Sequence, residues 1–252
     1  WRQQYQNVTM KMFGQWGTDG QYLDVLACAG KLCYNTDLHL PHGGTYWADG
    51  NRTLLKNLRQ AALQVEPEPF LTTEGFSENY IDQMDAFLTL DITRYGWKNR
   101  KTTDVFPLFS LIYHDYAVGY GSDCGQQLTP EMQRWEMGLS FTWGVQLCYS
   151  ANRIDPPGKT VHDRFTRELA QAWHCSGYKF LTGGRGLEIA QVPSAGLIGT
   201  AAIGVISAPY RVKLNGYLDF PWEGPSVPAS AWRAHDQTVG LTLANISGKS
   251  QD

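Results

Sequence analysis

The sequence has no excess of positive charge and no long hydrophobic run. Its 21 Lys and Arg stand against 24 Asp and Glu, a formal net charge of -3, and no basic cluster is interleaved with aromatics. Nucleic acid is therefore not an expected partner. No stretch supplies the roughly 20 apolar residues that span a bilayer, and the closest approach, Ala195 to Ala208, is broken by glycines and reads as core. Cys-x-x-Cys is absent, and Cys28, Cys33, Cys124, Cys148 and Cys175 are too scattered for a zinc ribbon. A short Cys28–Cys33 disulfide stays open. Gly183-Gly184-Arg185-Gly186 lacks the Lys-Ser/Thr ending of a phosphate loop, and no Gly-x-Ser-x-Gly elbow occurs. No cofactor is expected. The chain opens at Trp1 without Met or a signal-like stretch, which reads as a processed form or a fragment.

What is abundant is aromatic: 13% of residues, with nine Trp and thirteen Tyr. Their flat apolar faces with a polar edge suit stacking on sugar rings, although large cores consume aromatics too. Asn7, Asn51 and Asn245 each begin an Asn-x-Ser/Thr sequon, which in a eukaryotic chain favours a secretory route and glycosylation. An extracellular or periplasmic location is the expectation.

Short apolar runs alternate with helical stretches over the first two-thirds, the pattern of β/α units on a parallel sheet. Strands are expected at Gly20 to Ala27, Pro69 to Glu74, Val105 to Tyr113 and Thr142 to Tyr149, with a weaker one at Leu90 to Tyr95. Helices are expected at Arg52 to Val65, about Glu78 to Leu88, Pro130 to Leu139 and Val161 to Trp173. Turn residues and short β-like runs then take over, at Gly186 to Val192, Gly199 to Ile206 and Val239 to Leu243. The expected class is α/β: residues 1–178 as the C-terminal part of a (β/α) TIM-type barrel, and 179–252 as the start of an antiparallel β-sandwich. Only about four β/α units fit where such a barrel has eight, so the preceding strands are expected on other segments of a larger chain.

Three of the expected strands end in Asp24, Glu74 and His114-Asp115. In a parallel barrel all strand C-termini open on one face, so these groups would converge there. Two carboxylates can divide glycoside cleavage between a proton donor and a nucleophile. Each could instead cap a helix or pair with Arg. A long loop from Tyr34 to Trp47 adds Asp37, His39 and His42, whose spacing fits no recognised metal motif. Hydrogen bonding to sugar hydroxyls, or packing, is the better reading of His42, and stacking that of Tyr46 and Trp47.

The segment Gly17-Thr-Asp-Gly-Gln-Tyr-Leu-Asp24 resembles the fourth-strand motif of α-retaining glycoside hydrolases, whose terminal Asp is the nucleophile. Thr72-Thr-Glu-Gly75 resembles the fifth-strand motif of the α-amylase superfamily, with its acid/base Glu, and Leu111-Ile-Tyr-His-Asp115 its seventh-strand His-Asp pair. Tyr22 stands where the amylase pattern has Arg. A closer likeness, over roughly residues 10 to 245, is to bacterial barrels related to endo-α-N-acetylgalactosaminidases, in which a β-sandwich follows the barrel. The resemblance implies a retaining α-glycosidase, with Asp24, Glu74 and Asp115 catalytic and Tyr22, Tyr113 and His114 beside the substrate. The substrate would be an oligosaccharide, polysaccharide or glycoconjugate. Two alternatives stand: a non-catalytic carbohydrate-binding or structural glycoprotein, and an inverting hydrolase using Asp24 with Asp115.

Overall fold

The computed structural model describes residues 1–28, 30–35, 37, 44–89, 107–121, 130–147, 161–188, 196–203, 218–225 and 227–246. The chain divides into two compact units, Trp1–Leu88 and Thr89–Asp252. The expected boundary after residue 178 falls inside the second. The architecture is mixed α/β with a parallel sheet.

The first unit opens with α1 (Arg2–Met10), which widens into a π-type turn over Lys11–Gln15. Its sheet is built from β1 (Gly20–Leu23), β2 (Phe70–Glu74) and β3 (Ala86–Leu88). All pairings are parallel, with Leu23 opposite Thr73 and Glu74 opposite Leu88. Between β1 and β2 runs α2 (Tyr46–Ala62), longer at its N-terminus than Arg52. Leu55, Leu58, Ala61 and Ala62 recur at helical spacing and bury one face. They share the core with Phe13, Leu23, Leu71 and Phe87. Polar ties fix the register: Thr73 Oγ1 donates to the Leu23 carbonyl at 2.6 Å. Asp85 accepts from both the Leu71 N–H and Arg59 of α2, each at 2.7 Å.

The helix expected over Glu78 to Leu88 is instead one 3-10 turn, Glu78–Tyr80, followed by β3. Tyr80 and Met84 mimic a helical face, but capture of Asp85 by Arg59 and β2 commits the next residues to the sheet. The expected strand at Leu90 to Tyr95 lies outside the described residues.

In the second unit the apolar run expected as a strand to Tyr113 is a helix, α3 (Leu108–Tyr113). A short apolar run bounded by Pro fits either state by pattern. Here Pro107 begins the helix, and Ser110 and His114, four apart, are both buried. An unanticipated strand, β4 (Val118–Tyr120), follows.

α4 (Pro130–Thr142) runs three residues past its expected end and consumes the start of the strand expected at Thr142 to Tyr149. Gly144, at φ +70°, closes it, with the Val145 N–H reaching back to Ser140 at 2.8 Å. Gln146 then makes a single parallel bridge with Tyr120. α5 (Val161–Ala172) continues through a π-type turn into α6 (Tyr178–Leu181).

The antiparallel strands are β5 (Arg185–Glu188), β6 (Gly196–Ile203), β7 (Leu218–Pro225), β8 (Ala229–Arg233) and β9 (Val239–Leu243). They form a β5-β8-β9 sheet and a β6-β7 pair. Trp232 on β8 is fully buried among Met137, Phe141, Trp143, Leu181 and Ile246, and its indole N–H donates to Thr242 Oγ1 at 3.2 Å. No helix among the described residues is long and apolar enough to cross a membrane.

Candidate active site

β1 and β2 lie side by side and parallel, so the residues at their C-terminal ends are neighbours although fifty positions apart in sequence. Those residues are Asp24 and Glu74, and the charge of Asp24 acts on the Glu74 carboxyl. Tyr22, two residues before Asp24 on the same face of the strand, donates from its hydroxyl to Asp24 Oδ1 at 3.0 Å.

After Asp24 the backbone reverses through Val25, at φ +62°. A β-branched residue in the left-handed region stores roughly 1–3 kcal/mol of strain and survives only where its surroundings impose it. The turn then brings Cys28 onto the end of β2, where its thiol donates to the Glu74 carbonyl oxygen at 3.1 Å. Gly75, at φ +82°, makes room: a Cβ there would stand 3.1 Å from Cys28 Cα.

Glu74 is half-buried. Burial pushes its pKa above the usual carboxylate value, and the nearby Asp24 charge pushes the same way; the Cys28 and Val25 donors pull it down without cancelling the rise. Burial, Glu74 and Asp24 together push the Cys28 thiol up to about 11. A carboxyl whose protonated form is favoured beside a second carboxylate is the arrangement suited to a general acid and a nucleophile.

α2 abuts the same turn. Asn51 Nδ2 donates to the Leu26 carbonyl at 3.2 Å, and Trp47, one helical turn earlier, is 45% exposed. Tyr46 precedes it and is half-buried. Asp37 is exposed, and His39 and His42 lie outside the described residues. Among the described residues no group of three or more His, Cys, Asp or Glu side chains is gathered to hold a metal.

The remaining expected site residues belong to the second unit. Tyr113 ends α3, and His114 and Asp115 follow a helix where a strand end was expected. His114 is only 3% exposed. Its Nδ1 lies 2.7 Å from the Gly184 carbonyl and its Nε2 2.8 Å from that of Gly144, with Trp232 packed at 4.7 Å between ring centroids. Burial pushes its pKa below the usual imidazole value, against the pull of the two carbonyls. Asp115 is exposed.

Of the sequon asparagines, Asn7 and Asn245 are exposed, while the Asn51 amide is engaged as described. Cys28, Cys33 and Cys175 are free thiols, so the Cys28–Cys33 disulfide is not formed. Sequence reasoning passed over Val25 and Cys28 as contributors to the site. Positive φ at a valine leaves no trace in sequence; a thiol four residues after the candidate nucleophile was the one available signal.

A parallel α/β unit with paired strand-end carboxylates is the class defined here, and comparisons with known proteins extend it. Residues 1–123 match the family described as a domain of unknown function, DUF6259. A Bacteroides thetaiotaomicron protein named "Putative glycoside hydrolase" is 31% identical over 150 residues, 58% of this chain and 21% of its own length. A similarly named Monosiga brevicollis protein is 32% identical over 154 residues, 58% of this chain and 12% of its own. The chain thus spans about a fifth or less of the length of these relatives.

Among solved structures, a GH27 β-L-arabinopyranosidase from Geobacillus stearothermophilus aligns at TM-score 0.44 and 11% identity, over 99% of this chain and 63% of that one. A cyclic α-maltosyl-(1→6)-maltose hydrolase from Arthrobacter globiformis aligns at 0.44 and 13%, over 95% and 56%.

Proposed function

We propose that the chain carries the catalytic carboxylates of a retaining α-glycosidase, with Asp24 as nucleophile and Glu74 as general acid/base. The observation that carries this is the placement of the two residues at adjacent parallel strand ends, with the Glu74 pKa raised above the usual carboxylate value by burial and by Asp24. Retaining pairs stand about 5–5.5 Å apart and inverting pairs about 6.5–9.5 Å, and adjacent strand ends suit the closer spacing. Relatives named as glycoside hydrolases agree in class.

In the reaction, protonated Glu74 gives its proton to the departing oxygen while Asp24 attacks the anomeric carbon. Glu74, now ionised, takes a proton from water as it cleaves the glycosyl-enzyme. Trp47, exposed one helical turn before the Asn51 that bonds the turn after Asp24, is the proposed stacking face. The substrate is an oligosaccharide, polysaccharide or glycoconjugate. The parallel strands are read as part of a (β/α) barrel and the antiparallel strands from Arg185 as a β-sandwich region. The protein is read as secreted, with glycans on the sequon asparagines where the host attaches them.

The test is hydrolysis of a panel of aryl α-glycosides. Glu74→Gln should lower the rate about 10²–10⁴-fold, with azide restoring turnover as a glycosyl azide of retained configuration. Asp24→Asn should abolish formation of a glycosyl-enzyme visible by mass spectrometry. Sugar binding without turnover by the wild type would replace this reading with that of a carbohydrate-binding protein.

A further inference from the structure

We propose that Asn51 is a positioning residue that holds the turn carrying Asp24, an inference that rests on the nucleophile role given to Asp24 above. Asn51 continues the buried stripe of Leu55, Leu58 and Ala62 by one turn toward the start of α2. A polar side chain on such a stripe calls for a polar partner. It has one: Asn51 Nδ2 donates to the Leu26 carbonyl at 3.2 Å. The bond joins α2, anchored in the core by Leu55 and Leu58, to the turn that follows β1.

That turn needs holding. Thr73 Oγ1 fixes the Leu23 carbonyl ahead of it at 2.6 Å, and the Cys28 thiol fixes its far end to the Glu74 carbonyl at 3.1 Å. Between them stands Val25 at φ +62°, a strained conformation for a β-branched residue. Such a residue stays in place only where its surroundings over-determine it. The Asn51 amide grips the carbonyl of the next residue, Leu26, and so opposes the return of Val25 to negative φ. Asp24 shares a peptide bond with Val25, so relaxation there swings the carboxylate away from its working direction. A small misplacement of a reacting group costs about 10²-fold in rate. The gripping nitrogen is also the atom that a glycan would take, so the glycan reading narrows to Asn7 and Asn245, both exposed.

The experiment compares Asn51→Ala, Asn51→Asp and Thr53→Ala with wild type on aryl α-glycosides, each as the whole chain from a glycosylating host. Asn51→Ala should lower kcat about tenfold to hundredfold with KM nearly unchanged. Asn51→Asp keeps the shape, but its carboxyl donates only when protonated. Its activity relative to wild type should therefore climb as pH falls toward about 4, while the ratio for the alanine variant stays level. Thr53→Ala breaks the sequon, leaves the amide in place and should match wild type. Wild-type kcat in Asn51→Ala overturns the proposal, as does a level ratio in Asn51→Asp. A Thr53→Ala loss as large as that of Asn51→Ala also overturns it, by assigning the effect to a glycan.

The carbon-13 shifts of Val25 report its left-handed backbone without any substrate, and they separate the two readings. In Asn51→Ala they should move toward values typical of negative φ, and in Thr53→Ala they should stay where they are. A moved Val25 in a protein without turnover keeps the tie and removes the glycosidase reading. Turnover by a wild type whose Val25 and kcat ignore Asn51→Ala does the reverse. If Asn51→Ala does not fold, Asn51→Asp above and below its titration gives the same comparison within one protein.

Discussion

Tyr22 shows how much one hydroxyl can matter beside the carboxylate pair. Its O–H donates to Asp24 at 3.0 Å, and hydrogen bonds to a charged group contribute about 1.5–3 kcal/mol. Losing an orienting contact of that size from the proposed nucleophile corresponds to roughly a tenfold to hundredfold rate loss. Tyr22→Phe should therefore lower kcat by about that factor in aryl glycoside assays, with a smaller change in KM.

The Cys28 thiol makes a second prediction at this scale. Its pKa is raised from 9.0 to about 11, and two units lower the thiolate fraction about a hundredfold near neutrality. Iodoacetamide should label Cys28 far more slowly in the folded protein than in urea, as peptide mapping would show, despite its exposure. Asp24 and Glu74 were legible because strand patterns ended on them. The Tyr22 contact and the Val25 reversal were not, since both depend on a backbone path that periodicity does not encode.

Among the elements, the turn after α4 is the most tightly determined in the second unit. Gly144 sits at φ +70°, and a Cβ there would stand 2.5 Å from Trp232 Cη2 and 2.6 Å from His114 Nε2. Strain and overpacking combine, so Gly144→Ala should destabilise this unit by about 3 kcal/mol or more, read from urea unfolding by Trp fluorescence. His114→Ala takes from the Gly144 and Gly184 carbonyls the one N–H that the neutral ring can donate to either, and leaves a void beside Trp232, about 2–4 kcal/mol by the same measurement.

The imidazole also links this unit to pH. Its folded pKa lies below the usual 6.5, so the stability it contributes is complete above that pH. It is lost as pH falls through the folded value, because protonation is easier in the unfolded chain. His114→Gln should flatten that acid-side decline. The role of His114 as a packed node was hidden by the misreading of α3: an apolar run ending in His-Asp looks the same as strand or helix until Pro107 and the buried pair Ser110 and His114 decide it. Long periodic stretches such as α2 and α5 were legible because their apolar residues repeat over several turns. β3 and β4, three residues each, are too short to carry a period.

Over the whole molecule, the carboxylate pair sets function against stability. The fold stores strain at Val25 and keeps Glu74 where burial and Asp24 disfavour its charge. Sites of this kind recur where activity demands a group that folding alone would not select. The sign follows from linkage: the folded pKa of Glu74 lies above its ordinary 4.5. The preference for its protonated form therefore stabilises the protein fully below that pH, and this stabilisation is lost as pH rises through the folded value. Above the folded value the ionised side chain is thus a net cost to the native state. Glu74→Gln keeps the shape and a hydrogen-bonding group but cannot ionise. The variant should unfold at a higher temperature than wild type at pH 7, with the gain shrinking toward pH 4, while hydrolysis is lost. Calorimetry at the two pH values checks this. An equal Tm difference at both would mean that the gain came from packing, and that Glu74 carries no electrostatic cost in the folded chain.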